Sequence, residues 1–117
     1  MGSKEFAEAL SGQNEVQISF VRSKNGKART IPVWFTVEGG RVQLLPMYGL
    51  RTKWFQEVEK SGKVELSVKN QKLSVTPSIV RDEAKIERIK GIFARKYGFG
   101  DVKRYYPTSE VAIEVPL

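Results

Sequence analysis

The alternation of apolar and polar residues over positions 16–20, followed at once by Asn25-Gly26, constrains this chain more than any other feature. Val16, Ile18 and Phe20 alternate with Gln17 and Ser19, the two-residue period of a strand with one buried face. Asn25-Gly26 lies within the turn-forming stretch Lys24-Asn25-Gly26-Lys27. Both residue types tolerate positive φ, so the pair signals a tight hairpin. A return strand then covers residues 28–37, with Ile31, Val33, Phe35 and Val37 on one face and Thr30, Pro32, Trp34 and Thr36 on the other. Pro32 cannot donate to a ladder, so it marks an edge, a bulge or a break in pairing. Glu38-Gly39-Gly40-Arg41 is a second tight turn, leading into a third strand over 41–47.

The remainder alternates helices with further strands. Phe6, Ala7 and Leu10 share one side of a short helix over 3–10, ahead of the first strand. After Tyr48-Gly49-Leu50-Arg51, Trp54, Phe55 and Val58 fall at helical spacing over about 52–60, and Ser61-Gly62 stops that helix. Val64, Leu66 and Val68 form a strand, a turn follows at Asn70-Gln71, and Leu73, Val75 and Ile79 form its hairpin partner. Asp82 caps a longer helix carrying Ile86, Ile89, Phe93 and Tyr97, which Gly98 ends. A loop containing Tyr105-Tyr106-Pro107 leads to a last strand with Val111, Ile113 and Val115. The predicted order is α-β-β-β-α-β-β-α-β. Six antiparallel strands with two or three short helices make a mainly β, α+β chain, better suited to a closed or nearly closed barrel than to a parallel sheet.

At 117 residues the chain is long enough for one core but not for a core plus a second independent domain, so residues 1–117 are expected to form a single domain. No apolar run reaches the length of a membrane span. The opening Met1-Gly2-Ser3-Lys4-Glu5 lacks the basic-then-apolar layout of a secretory signal. With no cysteine, a reducing cytoplasmic setting is the expectation. The chain also contains no histidine. That removes Ser-His and Cys-His nucleophilic catalysis, haem held by an axial histidine or cysteine, and every metal ligand except carboxylates. Redox or transfer chemistry would have to come from a bound cofactor.

Charge is distributed unevenly along a chain of net +7. Arg22, Lys24, Lys27, Arg29, Arg41, Arg51 and Lys53 face a single acid, Glu38, over residues 22–53. Such a field suits anionic partners. Within it, Met47-Tyr48-Gly49-Leu50-Arg51-Thr52-Lys53-Trp54 reads as strand, loop and helix start. Gly49 lets the backbone leave the strand sharply, and Thr52 is a good N-cap. Arg51 and Lys53 oppose the helix dipole, at roughly 0.3–1 kcal/mol per charge, and a bound anion relieves that conflict. The same two residues are also compatible with plain solvated loop charges. Trp34 either covers a flat heterocycle near freed backbone groups of the Pro32 strand, or packs as ordinary core. Tyr48, Tyr105 and Tyr106 either line a pocket or close a loop over the core. The helix after Asp82 mixes Lys85, Arg88, Lys90, Arg95 and Lys96 with Glu83 and Glu87, the pattern of a solvated face.

Several segments in order resemble the split-barrel flavin-binding proteins related to pyridoxamine phosphate oxidase, and within them the deazaflavin-dependent nitroreductase group. They are Lys24-Asn25-Gly26-Lys27-Ala28-Arg29-Thr30-Ile31-Pro32-Val33-Trp34-Phe35, Glu38-Gly39-Gly40-Arg41, Arg51-Thr52-Lys53-Trp54, Gly62-Lys63-Val64-Glu65-Leu66 and Val111-Ala112-Ile113-Glu114-Val115. The resemblance implies a six-stranded split barrel, a homodimer, and hydride transfer to or from a small organic substrate. It implies that Arg29, Thr30, Pro32, Val33 and Trp34 contact the ring system, and that Arg51, Thr52 and Lys53 hold the phosphate, with Met47, Tyr48, Gly49 and Trp54 completing the cofactor site. No catalytic residue and no metal ligand is implied. The chain reads Leu50-Arg51-Thr52-Lys53-Trp54-Phe55 where the nitroreductase group has a longer Gly-rich loop and a Pro-x-Trp-Tyr pattern, so FMN and the deazaflavin coenzyme both stay open. Two other readings stand beside this one: a flavin-binding protein without turnover, and a basic β-barrel that binds nucleic acid through exposed aromatics. Against the second, aromatic residues do not alternate with basic ones along any strand, and the Lys/Arg-Gly-Phe type of signature is missing.

Overall fold

The computed structural model describes residues 3–117; Met1 and Gly2, the head of the segment weighed as a signal, lie outside them. Among the described residues the chain forms four α-helices and eight strands: α1 Ser3–Leu10, β1 Val16–Val21, β2 Ala28–Val33, β3 Thr36–Glu38, β4 Arg41–Leu44, α2 Lys53–Ser61, β5 Val64–Val68, β6 Gln71–Val75, β7 Ser78–Val80, α3 Glu83–Tyr97, α4 Phe99–Tyr105 and β8 Ala112–Pro116. The strands pair in two antiparallel sheets of order β2-β1-β5-β6 and β3-β4-β8-β7.

The rise from six expected strands to eight has one cause, which acts twice. The return strand over 28–37 and the strand around Leu73–Ile79 each break and pass from one sheet to the other, through Trp34-Phe35 and through Thr76-Pro77. Alternation survives on either side of each break, so a sequence pattern joins the halves. At the first break the phase changes: Phe35 and Thr36 are both buried, while Val37 is exposed. Pro32 pairs with Gln17 on β2, the edge strand of its sheet, where a missing N–H costs nothing.

The turns fit their local chemistry with two adjustments. In the first hairpin only Gly26 takes positive φ, while Asn25 Oδ1 accepts from the Lys27 N–H at 3.0 Å. The β5–β6 turn is Lys69-Asn70, one residue earlier than expected; both have positive φ and Val68 pairs with Gln71 across it, the type I′ arrangement. β4 stops at Leu44 rather than Met47, just before Pro46. The extra helix, α4, replaces an expected loop. Only Val102 of it is buried and Phe99 is exposed, so it has no apolar stripe to betray it.

Two apolar cores share the second sheet. The barrel core joins both sheets with α1 and α2, through Phe6, Leu10, Ile18, Phe35, Val42, Leu44, Phe55, Val58, Leu66, Ile113 and Val115. The outer core packs α3 and α4 on the other face, through Leu45, Val80, Ile86, Ile89, Phe93, Val102, Tyr106 and Ala112. With both of its faces covered, β8 is buried at Ala112, Ile113, Glu114 and Val115 in succession. Glu114 lies beneath α3 and is held by Lys85 Nζ at 3.0 Å, Arg41 Nη1 at 3.4 Å and Gln43 Nε2 at 3.4 Å. Burial alone would raise its pKa. Hydrogen bonds from Lys85 and Gln43, with the charges of Lys85 and Arg41, overcome that and hold the carboxyl below its ordinary value.

Candidate functional site

Where β2 ends and the chain crosses between sheets, one aromatic group organises the surface. Trp34 stacks on Tyr97, with ring centroids 4.1 Å apart and planes at 7°, and Tyr105 meets its edge at 5.7 Å. Tyr97 also fixes the crossing through its hydroxyl. Phe35 N–H donates to Tyr97 Oη at 3.0 Å, and the hydroxyl proton faces Asn14 O at 2.8 Å and Phe35 O at 2.9 Å. Burial pushes Tyr97 up to about 12. Lys96 adds a second bond to Phe35 O at 2.9 Å, with its ammonium 3.6 Å from the Phe35 ring centre. Burial lowers the Lys96 pKa.

Beside this crossing lies a cleft of about 670 Å3, within the usual size range for small-molecule sites. Of the residues singled out from sequence, Arg29, Pro32, Val33, Trp34, Met47, Tyr48, Arg51, Thr52, Lys53 and Trp54 line it. Two do not. Thr30 turns to β1, where its Oγ1 lies 2.7 Å from Ser19 Oγ. Gly49 sits behind the loop with φ +61°, so close to Glu110 and Thr108 that an added Cβ would clash with Glu110 Oε1 and Thr108 Oγ1.

Phe20, Ile31, Leu45 and Glu15 also line the cleft, together with Tyr105 and Tyr106. Sequence reasoning missed the first four: Phe20, Leu45 and Glu15 reach the cleft from other segments, and Ile31 read only as part of the strand's apolar face. The wall takes Arg29, Ile31, Pro32 and Val33 in near succession, as happens along a strand edge. β2 pairs only with β1, so its outward backbone groups face the cleft side without a strand partner. Nothing in the sequence pattern signals Glu15. Tyr106 does both of the things weighed for it: it is buried in the outer core and it lines the cleft.

The cationic end of the cleft is built by the short 3-10 turn Gly49–Arg51 and the start of α2. Thr52 does not cap α2 with its side chain, as its type suggested. Its Oγ1 accepts from the Tyr48 N–H at 2.8 Å, which leaves the hydroxyl proton free to donate. The first N–H groups of α2 therefore lack a side-chain acceptor, and no acid occupies the first turn. The side chains of Arg29, Arg51 and Lys53 are exposed and have no ion pair among the described residues. Arg41, Arg81, Lys85, Arg88 and Lys90, by contrast, all pair with glutamates. Trp34 and Glu15 also line a second, more polar cleft of about 850 Å3 with Gln13, Asn14, Gln17 and Lys69. Among the described residues no group of three or more acidic side chains is placed to hold a metal ion, and no helix is long and apolar enough to cross a membrane.

Two four-stranded antiparallel sheets, joined by two-residue crossings around one apolar core, are a split barrel of the pyridoxamine phosphate oxidase-like kind. Residues 7–113 match the family described as "Uncharacterized protein conserved in bacteria (DUF2255)", and the chain belongs to that family. Among solved structures it is similar to an F420-H2 dependent reductase (FDR-A), at 18% identity and a TM-score of 0.66 over 88% of this chain and 94% of that one. It is similar to a putative pyridoxamine 5'-phosphate oxidase from Listeria innocua, at 16% identity and a TM-score of 0.70 over 97% and 90% of the two chains. It is also similar to the haem storage protein HutZ from Vibrio cholerae, at 10% identity and a TM-score of 0.69 over 96% and 86%. At these identities the likeness is one of fold. No curated protein matches the chain.

Proposed function

We propose that the 670 Å3 cleft binds a phosphate-bearing flavin-type cofactor, FMN or a deazaflavin coenzyme, and that the chain is a nitroreductase-like oxidoreductase acting on a small organic substrate. One observation carries this reading. A cleft walled by Phe20, Ile31, Val33, Leu45, Met47 and Trp54 is also lined by Arg29, Arg51 and Lys53, cations with no ion pair among the described residues. That combination matches a ligand with a flat apolar body and an anionic tail. The structural likeness to a protein described as an F420-H2 dependent reductase and to a putative pyridoxamine 5'-phosphate oxidase supports it.

Each part of the chain then has a defined task. Arg51, Lys53, the Thr52 hydroxyl and the first N–H groups of α2 hold the phosphate. The open edge of β2 offers backbone donors and acceptors to the rim of the ring, and Trp34 and Tyr106 exclude water beside it. The cofactor, when bound, supplies two-electron hydride chemistry, so the lack of histidine is no obstacle. The 850 Å3 cleft that shares Trp34 and Glu15 gives a substrate room next to that ring. Tyr48, Leu50 and Tyr105 are exposed apolar groups in this region, and they suit the homodimer that the fold resemblance implies. A cytoplasmic setting fits a chain without cysteine.

The test is a melting and absorbance titration with FMN and with the deazaflavin coenzyme. At a hundredfold excess over Kd, stabilisation of about 2.7 kcal/mol corresponds to a rise in Tm on the order of 10 °C. The double variant Arg51→Ala, Lys53→Ala loses most of it, with Kd weakened about 100-fold. If neither ligand moves the melting curve, the reading fails. If a ligand binds but is never reduced or oxidised by any electron donor, the chain is a carrier and not an enzyme.

A further inference from the structure

Glu110 lies outside the cleft, yet it touches the loop that forms the cationic end. We infer that Glu110 is a positioning residue for phosphate recognition: its carboxylate fixes the backbone at Leu50 so that Arg51, Thr52 and Lys53 present one preset geometry to the anion. This inference rests on the cofactor reading of the cleft given above.

Three observations support it. First, the Leu50 N–H donates to Glu110 Oε1 at 3.2 Å, while Leu50 O accepts from Gln56 Nε2 at 3.0 Å. Both polar groups of the residue before Arg51 are thereby held by side chains from outside the turn. Second, Gly49 is seated against the same carboxylate, with φ +61°, so that a Cβ there would have to displace the Glu110 side chain. Third, the segment that carries Glu110 is itself anchored to α3. Lys90 Nζ donates to Thr108 O at 3.3 Å and to Ser109 Oγ at 3.2 Å, and Ser109 Oγ bonds Glu87. The loop also closes on itself, through Tyr48 N–H to Thr52 Oγ1 at 2.8 Å and Thr52 N–H to Gly49 O at 3.1 Å.

Electrostatics alone would disfavour a carboxylate here, because a negative charge behind an anion site repels the anion. A geometric role accounts for its placement, since a loop held in the bound shape loses less freedom on binding. The two roles predict opposite effects. If Glu110 mattered only through its charge, its removal would tighten phosphate binding. If it positions the loop, Glu110→Ala weakens binding, and Glu110→Gln, whose amide oxygen still accepts from Leu50, restores it.

The experiment titrates FMN and riboflavin, which lacks the phosphate, against wild type, Glu110→Ala and Glu110→Gln, and follows amide exchange at Leu50 by NMR without ligand. We expect Glu110→Ala to weaken FMN about tenfold with riboflavin unchanged, Glu110→Gln to stay within about threefold of wild type, and Leu50 to exchange faster only in the alanine variant. Tight FMN binding by Glu110→Ala, or an equal loss of FMN and riboflavin, overturns the inference. So does an unchanged Leu50 exchange rate. A wild type that binds no FMN counts instead against FMN as the cofactor, and the exchange measurement then decides alone whether Glu110 holds the loop.

Discussion

Replacing Tyr97 with phenylalanine isolates what one hydroxyl does for the crossing between the sheets. The ring that stacks on Trp34 at 4.1 Å remains, so the aromatic contact is kept. What disappears is the acceptor for the Phe35 N–H at 3.0 Å and the donor facing Asn14 O and Phe35 O. Phe35 is 2% exposed, so its N–H finds little water in exchange. The carbonyl keeps Lys96 as a partner. A buried donor left without an acceptor costs about 1–3 kcal/mol, and we take about 2 kcal/mol for Tyr97→Phe. With a urea dependence of about 1.5 kcal/mol per molar, the unfolding midpoint falls by about 1.3 M. The pH dependence gives a second, independent signature. Tyr97 titrates at about 12 in the fold against 10 ordinarily. The unfolded chain therefore sheds its proton first, and stability that is intact below pH 10 is lost as pH rises towards 12. Tyr97→Phe removes this share of the alkaline loss, leaving the part owed to Tyr106, whose pKa burial also raises. A midpoint shift below about 0.3 M, with an unchanged alkaline limb, would refute the assignment of the hydroxyl as the anchor of the crossing.

Gly49→Ala places a Cβ against Glu110 at positive φ, and should cost about 2 kcal/mol in denaturant unfolding; an unaltered midpoint would show that the loop relaxes freely. Glu114→Gln leaves Lys85 beside a neutral group under α3, and should cost about 1–2 kcal/mol at pH 7. Because Glu114 titrates below its ordinary 4.5, wild type loses stability as pH falls through that lowered value, and the glutamine variant should lack this acid limb in urea melts taken at stepped pH.

The turns, the helix spans of α1, α2 and α3 and the alternating faces were legible because each is a local property of a few adjacent residues. The partition into two sheets was not. Ile31-Pro32-Val33-Trp34-Phe35 keeps a strand-like pattern through the break, and only the tertiary competition between the two sheets for Phe35 and Thr36 ends β2 at Val33. The cationic end of the cleft was visible as Arg51-Thr52-Lys53, since a helix start without acids is a local anomaly. The opposite walls were hidden, because Glu15, Phe20 and Leu45 reach the cleft from other elements and have no common spacing. The bond between the Thr30 and Ser19 hydroxyls was hidden for a related reason. The register of Thr30 with Ser19 depends on the pairing across the hairpin, which the one-strand view of faces ignores.

The chain contains two tryptophans, Trp34 and Trp54, and both stand on the wall of the same cleft. Every indole signal the protein emits thus originates at this one place. Quenching by a flat chromophore, or a spectral shift as the crossing loosens, becomes a label-free gauge of events at this cleft and at the one beside it that shares Trp34.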